Sequence, residues 1–158
     1  MDIRDFNKII VVSLCDRFTD SVANLLSQNL DMMFCNTRDL VEYELIDQKI
    51  IQEKCSKEYL KKSERAVMKH IASFVNVVVS INFDYLIHNI DILKIGGLIV
   101  FLKLPKNYVK ENSNVVDLID YENRSQELQK VSHAMINLRK TEPNFVCSKI
   151  MEVLGGIL

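Results

Sequence analysis

A chain of 158 residues, 48% of them hydrophobic, has the length of a single domain, 1–158, and enough apolar material for a full core. Twenty basic side chains against twenty-one acidic ones give a formal net charge of -1, which excludes the basic excess of a non-specific nucleic-acid binder. No apolar run approaches the roughly 18 residues needed to span a bilayer, and the N-terminal MDIRDFNK lacks the apolar core of a signal peptide, so a cytoplasmic protein without nucleic-acid or membrane partners is expected.

Ile9 to Leu14 is a short, β-branched, nearly continuous apolar run, the pattern of a central strand covered on both faces. A polar turn, Ser13 to Ser21, follows, and Asp20 or Ser21 is expected to cap a helix whose Val22, Leu25, Leu26 and Leu30 repeat at helical spacing. Met32 to Cys35 reads as a second strand. Asn36 to Asp39 is then a turn that launches helical material through Leu40, Val41, Leu45 and Ile46, and again from Lys49 to Cys55. Lys57 to Phe74 is the longest helix candidate, with Leu60, Val67, His70 or Ile71, and Phe74 inward; its lysines interleave with Glu58 and Glu64 as a solvated face.

Asn76 to Ile81 reads as a third strand, and Asn82-Phe83-Asp84 as a turn. A helix from Asp84 to Lys94 then carries Ile87, Ile90 and Leu93 toward the sheet and ends at Gly96-Gly97. Leu98 to Leu104, closed by Pro105, is the fourth strand. The pattern weakens from Lys106 to Tyr121, with no helix long enough to assign; Asn123 to Ser132 reads as helical and Ala134 to Leu138 as the fifth strand. A last helix begins near Pro143 and buries Val146, Ile150, Val153 and Leu154. Strands alternating with helices predict an α/β fold, a five-stranded parallel sheet in three α/β/α layers, with ligands beyond the carboxyl ends of the strands. The turns 13–21, 36–39 and 82–84 would share that rim.

Isolated chemical signals are weak. Cys15, Cys35, Cys55 and Cys147 show neither CxxC pairing nor histidines at zinc spacing, and reduced, mostly buried thiols are expected. His70, His88 and His133 sit on separate elements, and no Ser or Cys has a base partner at fixed spacing. Asp16, Asp20, Asp39 and Asp84 could converge on the rim around a cation, but read better as solvated or helix-capping groups, so no metal is assigned. No glycine precedes Gly96, so anything before it that needs positive φ or close backbone approach must use other residues.

Motif order along the chain resembles the shikimate kinases, P-loop phosphotransferases of the nucleoside-monophosphate-kinase type. FCNTRDLVE is similar to the family's F-x-D-x-D-x-x-I-E, EYLKKSERAVM to its E-x-F-R-x-x-E-x-x-V-L, and EPNFVCSKIMEVL to its final S-P-E-E-V-A-x-x-I-x-x-L helix. VVVSINFDYLI stands where the family has a strand followed by G-G-G, and GGLIVFLKLP looks like the strand leading to its lid. The resemblance implies a P-loop kinase fold, ATP and Mg²⁺ as cofactors, and phosphate transfer to a substrate hydroxyl.

At the functional positions the chain departs from that pattern. The family's G-x-x-G-x-G-K-[ST]-[ST] falls on Ser13 to Ser21, placing Ser13, Asp16 and Phe18 at its glycines, Thr19 at its lysine, and Asp20 and Ser21 at its hydroxyls. Two carboxylates there would repel phosphate, and Phe18 would crowd it. On the substrate side Asn36 and Arg38 replace two aspartates, Lys61 replaces an arginine, Glu64 is retained, and Asn82, Phe83 and Asp84 fill the triple glycine. Arg124 matches a second substrate arginine, and the lid between Pro105 and Arg124 is reduced, without R-P-x-L. No catalytic residue is therefore assigned. The expectation is a shikimate-kinase-like protein that has lost ATP binding and phosphotransfer and is retained as a binding or interaction module. It would need no cofactor, would be a monomer or weak dimer, and would have an unknown protein or small-molecule partner. The alternative is an active shikimate kinase or related small-molecule kinase using ATP, Mg²⁺ and the cations Arg17, Arg38, Lys61 and Arg124; a subunit role in aromatic biosynthesis is a third reading.

Overall fold

The computed structural model describes residues 7–44, 57–115 and 117–157. Five strands, β1 (Lys8–Val12), β2 (Met33–Asn36), β3 (Val77–Ile81), β4 (Leu98–Lys103) and β5 (Ala134–Asn137), form one sheet in the order β2-β3-β1-β4-β5. Every pairing is parallel. β1 and β3 lie at the centre and are buried along their whole length, as their continuous Val and Ile runs require.

Eight helices are described: α1 (Asp16–Leu30), α2 (Thr37–Glu44), α3 (Lys57–Ser73), α4 (Phe83–His88), α5 (Ile90–Leu93), α6 (Lys106–Asn112), α7 (Leu118–Val131) and α8 (Pro143–Ile157). α1 packs against α8, while α3 packs against α2 and α5, and α4 against α7. The crossover from β1 to β2 runs the opposite way from those that follow, so right-handedness puts α1 on one face, with α8 packed against it, and α3 and α7 on the other. The three-layer parallel architecture is therefore the one expected from the sequence.

Several element boundaries differ from the expectation, each for a local reason. α1 begins at Asp16, with Cys15 as the preceding cap residue, so Asp20 and Ser21 lie inside the helix and cap nothing. Nothing in Asp16-Arg17-Phe18-Thr19 breaks a helix, and an acidic residue in the first turn favours one. Residues 36–39 and 82–84 are helix starts rather than turns. The Asn36 side chain accepts the N–H groups of Arg38 (3.1 Å) and Asp39 (3.4 Å), and Asn82 caps α4 by accepting from Tyr85 N at 2.8 Å.

The helix expected from Asp84 to Lys94 is broken at Asn89, and its inward residues are Leu86, Asn89 and Leu93, with Ile87 and Ile90 only half-buried. The weak stretch after Pro105 holds α6, and α7 starts at Leu118 because Asp117 accepts the N–H of Asp120 at 2.8 Å. In α8 Cys147 is buried and Val153 is not fully so. The expected continuation of α2 through Leu45 and Ile46 and the helix from Lys49 to Cys55 lie outside the described residues.

Two details hold the frame. Gly96 ends the α5 segment at φ 74°, and a Cβ on Gly97 would meet Ile10 Cδ1 at 3.0 Å and the Leu93 carbonyl at 3.3 Å. Lys8 is buried at the start of β1, with its ammonium donating to the Ala72 carbonyl near the end of α3 at 2.5 Å; burial lowers its pKa. No helix among the described residues is long and apolar enough to cross a membrane.

Candidate functional site

Parallel register aligns the carboxyl ends of the central strands, Val12 beside Ile81 and Asn36 beside Ser80, so the segments after β1, β2 and β3 share one rim. The connection from β1 to α1 is only Ser13, Leu14 and Cys15. Ser13 and Thr19 are buried, and their hydroxyls lie 2.6 Å apart. Ser13 Oγ accepts the Cys15 N–H at 3.1 Å, and Thr19 Oγ1 lies 3.1 Å from the Cys15 carbonyl. The Thr19 N–H bonds to that carbonyl at 3.0 Å, which makes the first helical closure of α1. Phe18 is buried and packs edge-on against Tyr108 of α6, with ring centroids 6.0 Å apart.

Asp16 and Asp20, one turn apart on α1, face Arg38 from the first turn of α2. Arg38 Nη2 is hydrogen-bonded to Asp20 Oδ2, and Nη1 lies 3.6 Å from Asp16 Oδ2. Ser80 at the end of β3 donates to the other Asp20 oxygen at 2.5 Å, and Thr37 donates to the Ser80 carbonyl at 2.9 Å. One guanidinium thus joins α1 to α2 and offsets two like charges that would otherwise repel at i,i+4 spacing. The Asp16 carboxyl is still pushed above its ordinary value, chiefly by burial, with the Asp20 and Asp84 charges adding and Arg38 opposing.

Beside this clasp lies a polar cleft of about 300 Å³. Ser13, Asp16 and Arg17 form one wall, residues 82–84 the second, and residues 112–114 with Arg124 the third. Arg124 comes from α7; its Nε donates to Asp120 at 2.9 Å, and its guanidinium lies over the Phe83 ring, 5.2 Å from the centroid. Ser21 is exposed and does not line the cleft.

The two α3 residues expected on the substrate side are elsewhere. Lys61 is exposed, Glu64 is half-buried, and neither lines the cleft. Burial raises the Glu64 pKa, with His88 and Lys61 pulling the other way, and Tyr85 stands within electrostatic range of both Glu64 and Arg38. Of the four aspartates considered for a cation, Asp20 and Asp84 both act on Asp16, whereas Asp39 lines an apolar groove of about 570 Å³ along β2. Among the described residues no group of three or more His, Cys, Asp or Glu is arranged to hold a metal ion. That groove, with Met33, Leu40, Tyr43 and Phe74, shares none of the residues that line the polar cleft.

Two of the three histidines have structural partners. His70 is exposed and lies 3.2 Å from Glu44, so Ile71 is the inward residue of that pair, and His133 accepts the Ile99 N–H at 2.9 Å. Cys15 and Cys147 are buried free thiols and Cys35 is half-buried; Cys55 lies outside the described residues. Sequence reading weighed Ser80 only as a nucleophile without a base partner, and missed Tyr108 and the segment 112–114. Only the polar run Asn112-Ser113-Asn114 behind a short apolar repeat signalled the last of these.

No family model matches the sequence, and no curated protein matches it. Solved structures do match over nearly the whole chain. The shikimate kinase from Aquifex aeolicus has a TM-score of 0.76 at 23% identity, covering 94% of this chain and 96% of that one. Shikimate kinase from Acinetobacter baumannii in complex with shikimate gives 0.77 at 16%, covering 96% and 94%, and that from Bacteroides thetaiotaomicron 0.72 at 16%, covering 94% and 98%. Identities this low establish shape rather than activity, and the shape is a shikimate-kinase-like P-loop α/β fold.

Proposed function

We propose that this chain keeps the kinase-like fold without binding Mg-ATP or transferring phosphate, and that it acts as a binding module through the polar cleft at the carboxyl ends of its strands. The observation that carries this reading is the start of α1 at Asp16. A phosphate loop works because glycines between strand and helix turn successive backbone N–H groups onto the phosphates, while a lysine neutralises charge and a hydroxyl holds Mg²⁺. Here three residues span that gap. The Cys15 N–H is spent on Ser13 Oγ, and the residue at the lysine position, Thr19, is fully buried with its hydroxyl turned onto Ser13.

The charges have the wrong sign as well. By the resemblance Asp16 and Asp20 fall at phosphate-loop positions, and a carboxylate about 4 Å from a phosphate oxygen would be repelled by about 4 kcal/mol near a protein surface. The positive end of the α1 dipole is already met by Asp16 in its own first turn. Arg38, the cation best placed to offset such repulsion, is held by both carboxylates. ATP and Mg²⁺ do not fit the residues present. Transition-state charge stabilisation supplies most of phosphoryl-transfer catalysis, and a single arginine finger is worth roughly 10³ to 10⁵ in rate.

The test is thermal melting with millimolar Mg-ATP. A ligand at 100 times its Kd stabilises by about 2.7 kcal/mol, so even weak binding registers. No change in Tm is expected, and a clear upward shift would overturn the reading.

A further inference from the structure

Four charged side chains line the polar cleft: Asp16, Arg17, Asp84 and Arg124. Two are already engaged. Asp16 faces Arg38, and Arg124 is bonded to Asp120 with its guanidinium over the Phe83 ring. Arg17 and Asp84 are exposed and enter no ion pair among the described residues. One cleft therefore presents a free cation on one wall and a free anion on another, with the carboxamides of Asn82, Asn112 and Asn114 around them.

We propose that this cleft binds a small zwitterion of the α-amino acid class, its carboxylate received by Arg17 and its ammonium by Asp84. The inference rests on the reading above that the cleft holds a small ligand without phosphotransfer, and it names the ligand class. Each alternative leaves a charge uncompensated. A simple anion would satisfy Arg17 and sit against Asp84, a simple cation would do the reverse, and a neutral polyol would desolvate both with no ionic return. A zwitterion offsets both charges, and the surrounding amides can take up its remaining donors and acceptors. The cleft, at about 300 Å³, is at the small end of ligand pockets, which suits a single amino acid rather than a peptide.

The test is thermal melting of the full chain with each standard L-amino acid at millimolar concentration. The N-acetyl and methyl-ester derivatives, which lack one charge each, are run beside their parents, with Mg-ATP as a separate arm. At least one free amino acid is expected to raise Tm, and its two derivatives to bind at least tenfold more weakly. Arg17→Ala and Asp84→Ala should each weaken binding at least tenfold. Both side chains are exposed, so the unliganded Tm of each variant should stay within about a degree of the parent's. The proposal is overturned if no free amino acid raises Tm, if a derivative lacking one charge binds as well as its parent, or if neither variant weakens binding. A shift with Mg-ATP alone would instead overturn the proposed function.

Discussion

Thr19 shows how one side chain decides what the strand-to-helix connection can do. Its hydroxyl and that of Ser13 close on each other at 2.6 Å in a site sealed from solvent, and the Cys15 backbone is drawn into the same network. A lysine there would overfill the sealed site between Ser13 and Cys15 and break the hydroxyl network that Thr19 makes. Thr19→Lys is therefore expected to destabilise the protein by about 1–3 kcal/mol, the scale of overpacking a close-packed site. It should also confer no Mg-ATP binding. Urea denaturation checks the first outcome and nucleotide titration of the folded fraction the second; a stable variant that binds nucleotide would contradict this account of the connection. The sequence alone exposed the loss of the glycines and the lysine. It could not show that Ser13 and Thr19 pair, because that needs α1 to start three residues before Thr19.

Helix starts are where sequence and structure diverged most, and the cause is chemical. Asn36 and Asn82 read as turn residues, and Asp117 fell in a stretch with no assigned helix, because a short polar side chain that folds back on the backbone serves a turn and a helix cap equally well. In all three the side chain accepts an N–H from the first turn of a helix. The strands were legible because continuous Val and Ile runs such as Val77–Ile81 have few other uses, and the parallel order followed from their alternation with helices. The tip of α6 was not legible, since Asn112 to Asn114 acquire meaning only when the fold brings them opposite Asn82.

Capping also separates α4 from α1. α4 is six residues long and takes its start from one side-chain bond, whereas α1 has no side-chain cap and relies on length and packing. Asn82→Ala is expected to cost about 1 kcal/mol in chemical denaturation, the usual worth of such a cap. Because Asn82 also lines the cleft, the variant should loosen residues 83–88, visible as faster amide exchange there than in α1. Equal exchange in both helices would show that the cap does not hold α4.

For the molecule as a whole, three buried or half-buried thiols are expected to limit stability at alkaline pH. Cys15, Cys35 and Cys147 each have a pKa raised from 9.0 to about 11, in every case mainly by burial. Neighbouring charges add to this, Asp16 at Cys15 and Asp39 and Glu44 at Cys35, while a Ser113 hydrogen bond opposes it at Cys15. Between pH 9 and 11 the native protein thus holds protons that the unfolded chain has released. Its stability is fully present below pH 9 and falls as pH rises, by up to about 1.4 kcal/mol per pH unit for each such thiol. The phenols of half-buried Tyr85 and buried Tyr121 are shifted upward and act in the same direction, while Lys8, shifted downward, opposes them. Urea denaturation from pH 7 to 10.5 should show a plateau followed by a decline. In the double variant Cys15→Ala/Cys147→Ala that decline should be shallower, even though the two truncations lower stability on the plateau. A slope unchanged by removing both thiols would mean that another group sets the alkaline limit.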